Sequence, residues 1–396
     1  MSEVSRRLRA AARMVHIEPF EVMEIQTLAR EVEAQGHDVI HLEIGEPDFR
    51  TPQPVIDAAK RALDIHRMYY TSALGLAELR EAISGFYRTR YGIDVPASRI
   101  VVTAGSSAAL LLAFGVLLNE GDEVLLADPG YPCNRHFART LGAVPFPIPV
   151  GPATRYQLDT ETARRHWGAS TRMAMVASPA NPTGTLVPHD EIAGLAALAR
   201  ETSGTLLVDE IYHGLTYGMD ARTAAECGED VLVVNSFSKY FQMTGWRLGW
   251  LVAPQGLVRD IETLAQNLFI SPSAVAQHAA LACFAPETIA ILEERRGELD
   301  ARRRFLVPAL ESLGLRVPVV PEGAFYVYAD CSALTADSFE FARSVLKEAH
   351  VAITPGKDFG RHEPERHIRI AYTQPIDRLE EAVGRIRRFL GQGAAR

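Results

Sequence analysis

Five short, largely apolar runs punctuate the middle of this chain: Ile100-Val101-Val102, Glu123-Val124-Leu125-Leu126, Met173-Ala174-Met175-Val176, Thr205-Leu206-Leu207-Val208 and Val231-Leu232-Val233-Val234. Runs that stay apolar instead of alternating mark strands covered on both faces. Helical patterns separate them between Arg99 and Val252. Strands alternating with helices predict an α/β fold on a mostly parallel sheet, which binds ligands beyond the carboxyl ends of its strands. Ser106, Tyr131, Asn181, Asp209 and Lys239 all fall just after such runs.

The last of these positions carries the sharpest chemistry. Lys239 follows the run 231–234, and apolar surroundings there disfavour its charged form and lower its pKa. A partly neutral amine is a nucleophile suited to condensing with a carbonyl. Two hydroxyls, Ser236 and Ser238, and a guanidinium eight residues on (Arg247; 247 − 239 = 8) stand ready to hold a phosphate beside it. Alone, a Ser-x-Ser-Lys run reads better as a strand followed by a surface lysine; the added Gly245-Trp246-Arg247-Leu248-Gly249 turns the balance against that reading.

The strand-to-helix junction Thr103-Ala104-Gly105-Ser106-Ser107 offers backbone amides and hydroxyls to an anion. It lacks the later glycines of a dinucleotide fingerprint, and a capped helix is its plain alternative. Asp209 ends a buried run with a carboxylate, and Arg369 sits alone within the strand-like His367-Ile368-Arg369-Ile370-Ala371. A buried guanidinium needs an anionic partner, and its planar fork suits a carboxylate. A structural salt bridge is the alternative.

These motifs resemble the class I and II aminotransferases, pyridoxal-phosphate enzymes of fold type I. The resemblance rests on Gly45-Glu46-Pro47-Asp48-Phe49, Tyr70-Thr71-Ser72-Ala73-Leu74-Gly75, Asp128-Pro129-Gly130-Tyr131-Pro132, Ser178-Pro179-Ala180-Asn181-Pro182-Thr183-Gly184, Val208-Asp209-Glu210-Ile211-Tyr212, the Lys239 stretch and the Arg369 strand, in that order. It implies that Lys239 holds the cofactor and moves a proton, with Asp209 at the pyridine nitrogen. It further implies Asn181 and Tyr212 at the phenolic oxygen, Tyr131 stacked on the ring, and Gly105, Ser106, Ser107, Ser236, Ser238 and Arg247 around the phosphate. Gly45, Asn181 and Arg369 would meet the substrate, and Tyr70 would reach the phosphate of a second subunit, making a homodimer with shared sites. Gln242 departs from the small or medium residue usual in the family and raises a question of packing beside the cofactor.

At 396 residues, two domains sharing a cleft are expected. The resemblance implies an N-terminal arm and part of a small domain over 1–50, a large cofactor-binding domain over 51–295, and a small α+β C-terminal domain over 296–396. A helix near 19–35 carries Phe20, Met23, Leu28 and Val32, and strands are expected at Val39–Ile44, Leu315–Ala329 and Val351–Ile353. A charged helix spans Glu287 to Leu313, and a last helix carries an apolar stripe of Ile376, Leu379, Val383, Ile386 and Leu390. Arg6, Arg7, Arg9 and Arg13 read as a helical arm of the mature protein in preference to a transit peptide. The net charge of −8 argues against a nucleic-acid partner, no run reaches membrane-spanning length, and the four cysteines lack metal-type spacing; a cytoplasmic enzyme without metal is expected.

Transamination between an amino acid and a 2-oxo acid is the leading reading. Carbon–sulfur β-elimination on the same scaffold and a non-enzymatic cofactor-binding regulator are the alternatives. A serine at 107, where aspartate-preferring relatives often carry lysine, favours a neutral, apolar or aromatic donor over aspartate.

Overall fold

The computed structural model describes residues 9–219 and 221–393. Arg6 and Arg7 lie outside the described residues; beyond them Arg13 falls in a short 3-10 turn, Ala12–His16. The strands are β1 (Ile40–His41), β2 (Ile100–Thr103), β3 (Glu123–Asp128), β4 (Val144–Pro149), β5 (Thr171–Ala177), β6 (Thr205–Asp209), β7 (Leu232–Ser236), β8 (Gly249–Val252), β9 (Tyr326–Asp330), β10 (Val351–Ala352), β11 (Thr354–Pro355) and β12 (His367–Ala371).

Seven of them form one sheet in the order β2-β8-β7-β6-β5-β3-β4. All neighbours run parallel except β8, which is antiparallel to both β2 and β7. The five apolar runs are four of its five interior strands and the edge strand β2, and their burial is nearly continuous. Two strands escaped the sequence reading. β8 is buried throughout but short, and β4 carries prolines at 145, 147 and 149, which suit only an edge.

The remaining strands make two smaller sheets, β1-β10 and β11-β12-β9, so residues near position 40 pair with residues near 351. The expected strand over 315–329 shrinks to β9. Pro318, Pro321 and the tightly packed Gly323, whose absent Cβ would strike Pro179, break the ladder before it. The expected strand at 39–44 likewise reduces to two residues. The charged helix is found at Pro286–Glu311 and runs unbroken through position 295, the expected domain boundary.

The first long helix, Glu21–Ala34, buries Ile25, Ala29 and Val32, a stripe at four- and three-residue spacing. Of the expected apolar face only Val32 belongs to it, and Met23 is exposed. The helix Ile376–Gly393 buries Leu379, Ala382, Val383 and Ile386, while Ile376 at its first position is exposed. No single helix among the described residues is long and apolar enough to cross a membrane.

Candidate active site

The carboxyl ends of β2, β5, β6 and β7 converge on one cleft, closed from the other side by the segment 43–45 and by β9 and β12. β6 ends on Asp209, which registers between Ala177 of β5 and Val234 of β7. Its carboxylate is buried and accepts the Ile211 N–H at 3.1 Å. Burial pushes its pKa up to about 7, opposed by that hydrogen bond and by the charge of Lys239.

Lys239 stands three residues past β7. Part of its side chain faces the cleft, yet Nζ is enclosed, donating to the Gly45 carbonyl at 2.6 Å with the Phe325 and Tyr212 rings 5.7 and 5.9 Å away. Desolvation brings its pKa down to about 8; Glu46 opposes this, while Arg369 and Arg247 add to it. The neutral amine that the sequence called for is therefore well populated near pH 8.

One wall is a cradle of hydroxyls and N–H groups. Gly105, at φ +82°, leads into the helix Ser106–Leu117; a Cβ there would come within 2.7 Å of Arg247 Nη2, so glycine lets the guanidinium lie against the turn. Ser106, Ser107, Ser238, Thr244 and Arg247 all line this wall. Ser236 does not; it lies beneath, donating to Ser238 Oγ at 2.9 Å and accepting the Ser238 N–H at 3.0 Å. Arg247 is exposed and donates to the Thr244 carbonyl at 2.9 Å.

The opposite wall is built around Arg369, which is buried in β12. Its Nη1 donates to Asn181 Oδ1 at 2.9 Å and its Nη2 to the Glu43 carbonyl at 2.5 Å and to Thr354 Oγ1 at 3.2 Å. The rings of Tyr326 and Phe359 lie 4.4 and 4.9 Å from its guanidinium carbon. Asn181, fixed in a loop with cis bonds before Pro179 and Pro182, keeps its amide N–H groups for other partners. The Tyr212 hydroxyl bonds that of Tyr326 at 3.0 Å. Gly45 is pressed by the same Tyr326 hydroxyl, which leaves no room for a side chain.

Tyr131 lines the cleft half-buried, its hydroxyl held well above the usual phenol pKa by desolvation. Tyr70 is elsewhere, 81% exposed at the surface. Gln242 turns away, its amide oxygen taking the Arg295 guanidinium, so it does not crowd the site. Several cleft residues had no sequence signal. Tyr326 and Phe359 read as core aromatics, and Val22, Met23 and Gln26 enter from the helix Glu21–Ala34, with Phe20 from the position just before it. That helix has no side-chain cap of its own; Asp358 accepts its Glu21 N–H at 2.9 Å.

Comparison with known proteins agrees with this arrangement. The family described as aminotransferase class I and II matches residues 37–386. A valine–pyruvate aminotransferase of Mycobacterium tuberculosis is 40% identical over 376 residues, covering 94% of this chain and 97% of the relative. An aspartate aminotransferase of Bacillus subtilis is 32% identical over 393 residues, covering 97% and 99%. A crystal structure of an aminotransferase from Mycobacterium tuberculosis superposes with a TM-score of 0.94 at 39% identity, covering 97% of this chain and all of the other. The chain belongs to the class I and II aminotransferases, and its fold is that of fold type I. It is a pyridoxal-phosphate-dependent transferase that moves amino groups.

The site fits that cofactor. Asp209 is a carboxylate whose pKa is raised by burial, and no cationic side chain hydrogen-bonds it among the described residues, the environment a protonated pyridine would complete. Arg369 Nε is a buried donor with no partner among the described residues. A Cβ at Gly105 would push the Arg247 guanidinium out of the cradle, so glycine keeps that cation beside the helix N-terminus where an anion can be held.

Proposed function

We propose that this aminotransferase acts on neutral, apolar α-amino acids and their 2-oxo acids by a ping-pong cycle, in a homodimer with shared sites. The observation that carries the donor preference is the cleft wall around Ser107: Phe20, Val22, Met23 and Leu110 are apolar, and the cleft's cations among the described residues are Lys239, Arg247 and Arg369. Each of these has a task in the half-reaction, which leaves none in this chain for a second substrate carboxylate. The valine–pyruvate relative supports the same reading.

In this proposal Lys239 Nζ would hold the cofactor covalently, Asp209 would face the ring nitrogen, and Asn181 and Tyr212 the phenolic oxygen. Tyr131 would cover the ring face. Gly105, Ser106, Ser107, Ser238 and Arg247 would take the phosphate, with Ser236 positioning Ser238. Bound pyridoxal phosphate supplies a carbonyl for amines and, protonated at its ring nitrogen, an electron sink for the substrate Cα.

The protein's own residues do the rest. Arg369 clamps the α-carboxylate, its fork oriented by Asn181, Glu43 and Thr354 and its faces shielded by Tyr326 and Phe359. Gly45 borders the carboxylate. Freed Lys239, with a pKa of about 8, is suited to take the Cα proton and return it, because its acidity lies close to working pH.

Tyr70 supports the dimer: it is exposed beside exposed Leu63, Ile65 and Tyr69, an apolar patch that a second copy would cover. We propose the division 1–50, 51–295 and 296–396 as domains, supported by the pairing of β1 with β10, and a cytoplasmic location, supported by four free cysteines.

A donor panel tests the reading. The loaded enzyme is mixed with one amino acid at a time and no 2-oxo acid. Valine, leucine or alanine should discharge the lysine-bound chromophore and release one equivalent of 2-oxo acid. Faster discharge by aspartate would replace the apolar assignment. Continuous ammonia and pyruvate release from a sulfur amino acid would move the enzyme to β-elimination.

A further inference from the structure

A second cavity, of about 100 Å³, lies next to the active-site cleft, and Tyr131 and Phe359 line both. Its apolar lining comes from Leu126, Met175 and Val176 of the central strands and from Pro145 and Pro147 of the edge strand. Two buried polar atoms in its lining meet no protein partner among the described residues: Asn134 Oδ1 and the Tyr156 hydroxyl. Asn134 is 8% exposed and Tyr156 3%. A buried unpaired polar atom is costly, and such a pair in one cavity calls for an occupant that hydrogen-bonds.

The rim is basic. Arg135, Arg139 and Arg361 line it with Glu18, which contacts both Arg135, at 3.9 Å, and Arg361. Arg139 spends one N–H group on the His16 carbonyl, with no carboxylate partner among the described residues. Asp128 also lines the cavity, but its oxygens are committed to the Arg361 and His362 N–H groups at 2.9 to 3.3 Å. One available carboxylate thus faces three guanidiniums.

We propose that this cavity is a second ligand site for a small branched monocarboxylate that carries a hydroxyl, distinct from the Arg369 site. The volume admits an apolar body of about four or five carbons, given that a dry cavity of about 150 Å³ takes benzene. The ligand's carboxylate meets Arg135 at the rim, while a hydroxyl on its body supplies the hydrogen bonds that Asn134 Oδ1 and the Tyr156 hydroxyl lack. Because Tyr131 and Phe359 line both spaces, occupancy of one bears on the other.

The test uses 3-hydroxy-3-methylbutanoate, which has neither an amino nor a 2-oxo group to react. Calorimetric titration of the cofactor-loaded Arg369→Leu variant removes the active-site carboxylate clamp. One equivalent per chain should still bind. In the Arg369→Leu/Asn134→Leu double variant that equivalent should disappear, since leucine fills the cavity and removes the unpaired oxygen; near-native circular dichroism and thermal transition will show that the fold persists. Arg369→Leu/Arg135→Gln should weaken binding about tenfold or more while leaving the cavity's shape. No binding by Arg369→Leu, or binding indifferent to both cavity substitutions, would overturn the proposal and leave the cavity to solvent.

Discussion

The two walls of the cleft are held together in opposite ways. On the cradle side the supporting hydrogen bonds are local: Ser236 to Ser238, Thr244 to Ser238 and Arg247 to Thr244, all within six residues. On the Arg369 side they join residues 188 and 326 positions apart, Arg369 to Asn181 and to Glu43, while Glu21 meets Asp358 across 337. The cradle is therefore preformed once the sheet folds, whereas the substrate wall exists only when both ends of the chain and the central sheet are docked. Local supports suit a resident cofactor, and long-range ones suit a group that comes and goes.

Four experiments sharpen or break that contrast. Lys239→Ala should lower turnover by at least about 100-fold, the loss expected of a proton-transfer group, and borohydride treatment should attach no cofactor to the chain in mass spectra. Noncovalent cofactor retained in the cradle of that variant would fit a preformed wall; its complete loss would show the cradle to depend on the lysine. Arg369→Leu should lower kcat/KM for the amino donor by about 10- to 150-fold with cofactor affinity unchanged, because only the substrate wall is damaged. A parallel fall in cofactor affinity would erase the distinction.

Capture of cofactor by the apo-protein should accelerate about tenfold between pH 7 and 9. With a folded pKa near 8, below the ordinary lysine value, the neutral amine grows as pH rises through that value. A midpoint near 10 in stopped-flow absorbance would contradict the enclosure of Nζ. The smallest effect is expected at Gly360, whose missing Cβ leaves space for the Asp128 carboxylate. Gly360→Ala should destabilise by about 1–3 kcal/mol in urea titrations and raise KM for the donor more than it lowers kcat, as the Phe359 loop shifts off Arg369.

The same contrast explains what the sequence made legible. Asp209, Lys239 and Ser106 stand where a strand stops, and strand interiors are readable because burial on both faces demands continuous apolar residues. Tyr326 and Phe359 were not readable as site residues, since an aromatic side chain in an apolar setting looks the same whether it fills a core or shields a guanidinium. Asp358 caps a helix that starts 337 residues earlier, and no local pattern announces such a partner. β4 was hidden by its prolines, which score against a strand until its edge position is known. Arg369 was legible for the opposite reason: a lone charge in an apolar strand requires a partner, although the carbonyl of Glu43 and the amide of Asn181 emerge only from the fold.

The pairing of Ile40 with Val351 has a consequence during synthesis. At ribosomal speeds of about 5–20 residues per second, the 311 positions that separate them (351 − 40 = 311) take roughly 15 to 60 seconds to emerge. For that interval β1 and the apolar stripe of Ile25, Ala29 and Val32 lack the late elements they finally pack beside. Nascent chains paused before position 351 should therefore hold a finished cofactor sheet and an unsheltered leading segment, the part on which a chaperone would first take hold.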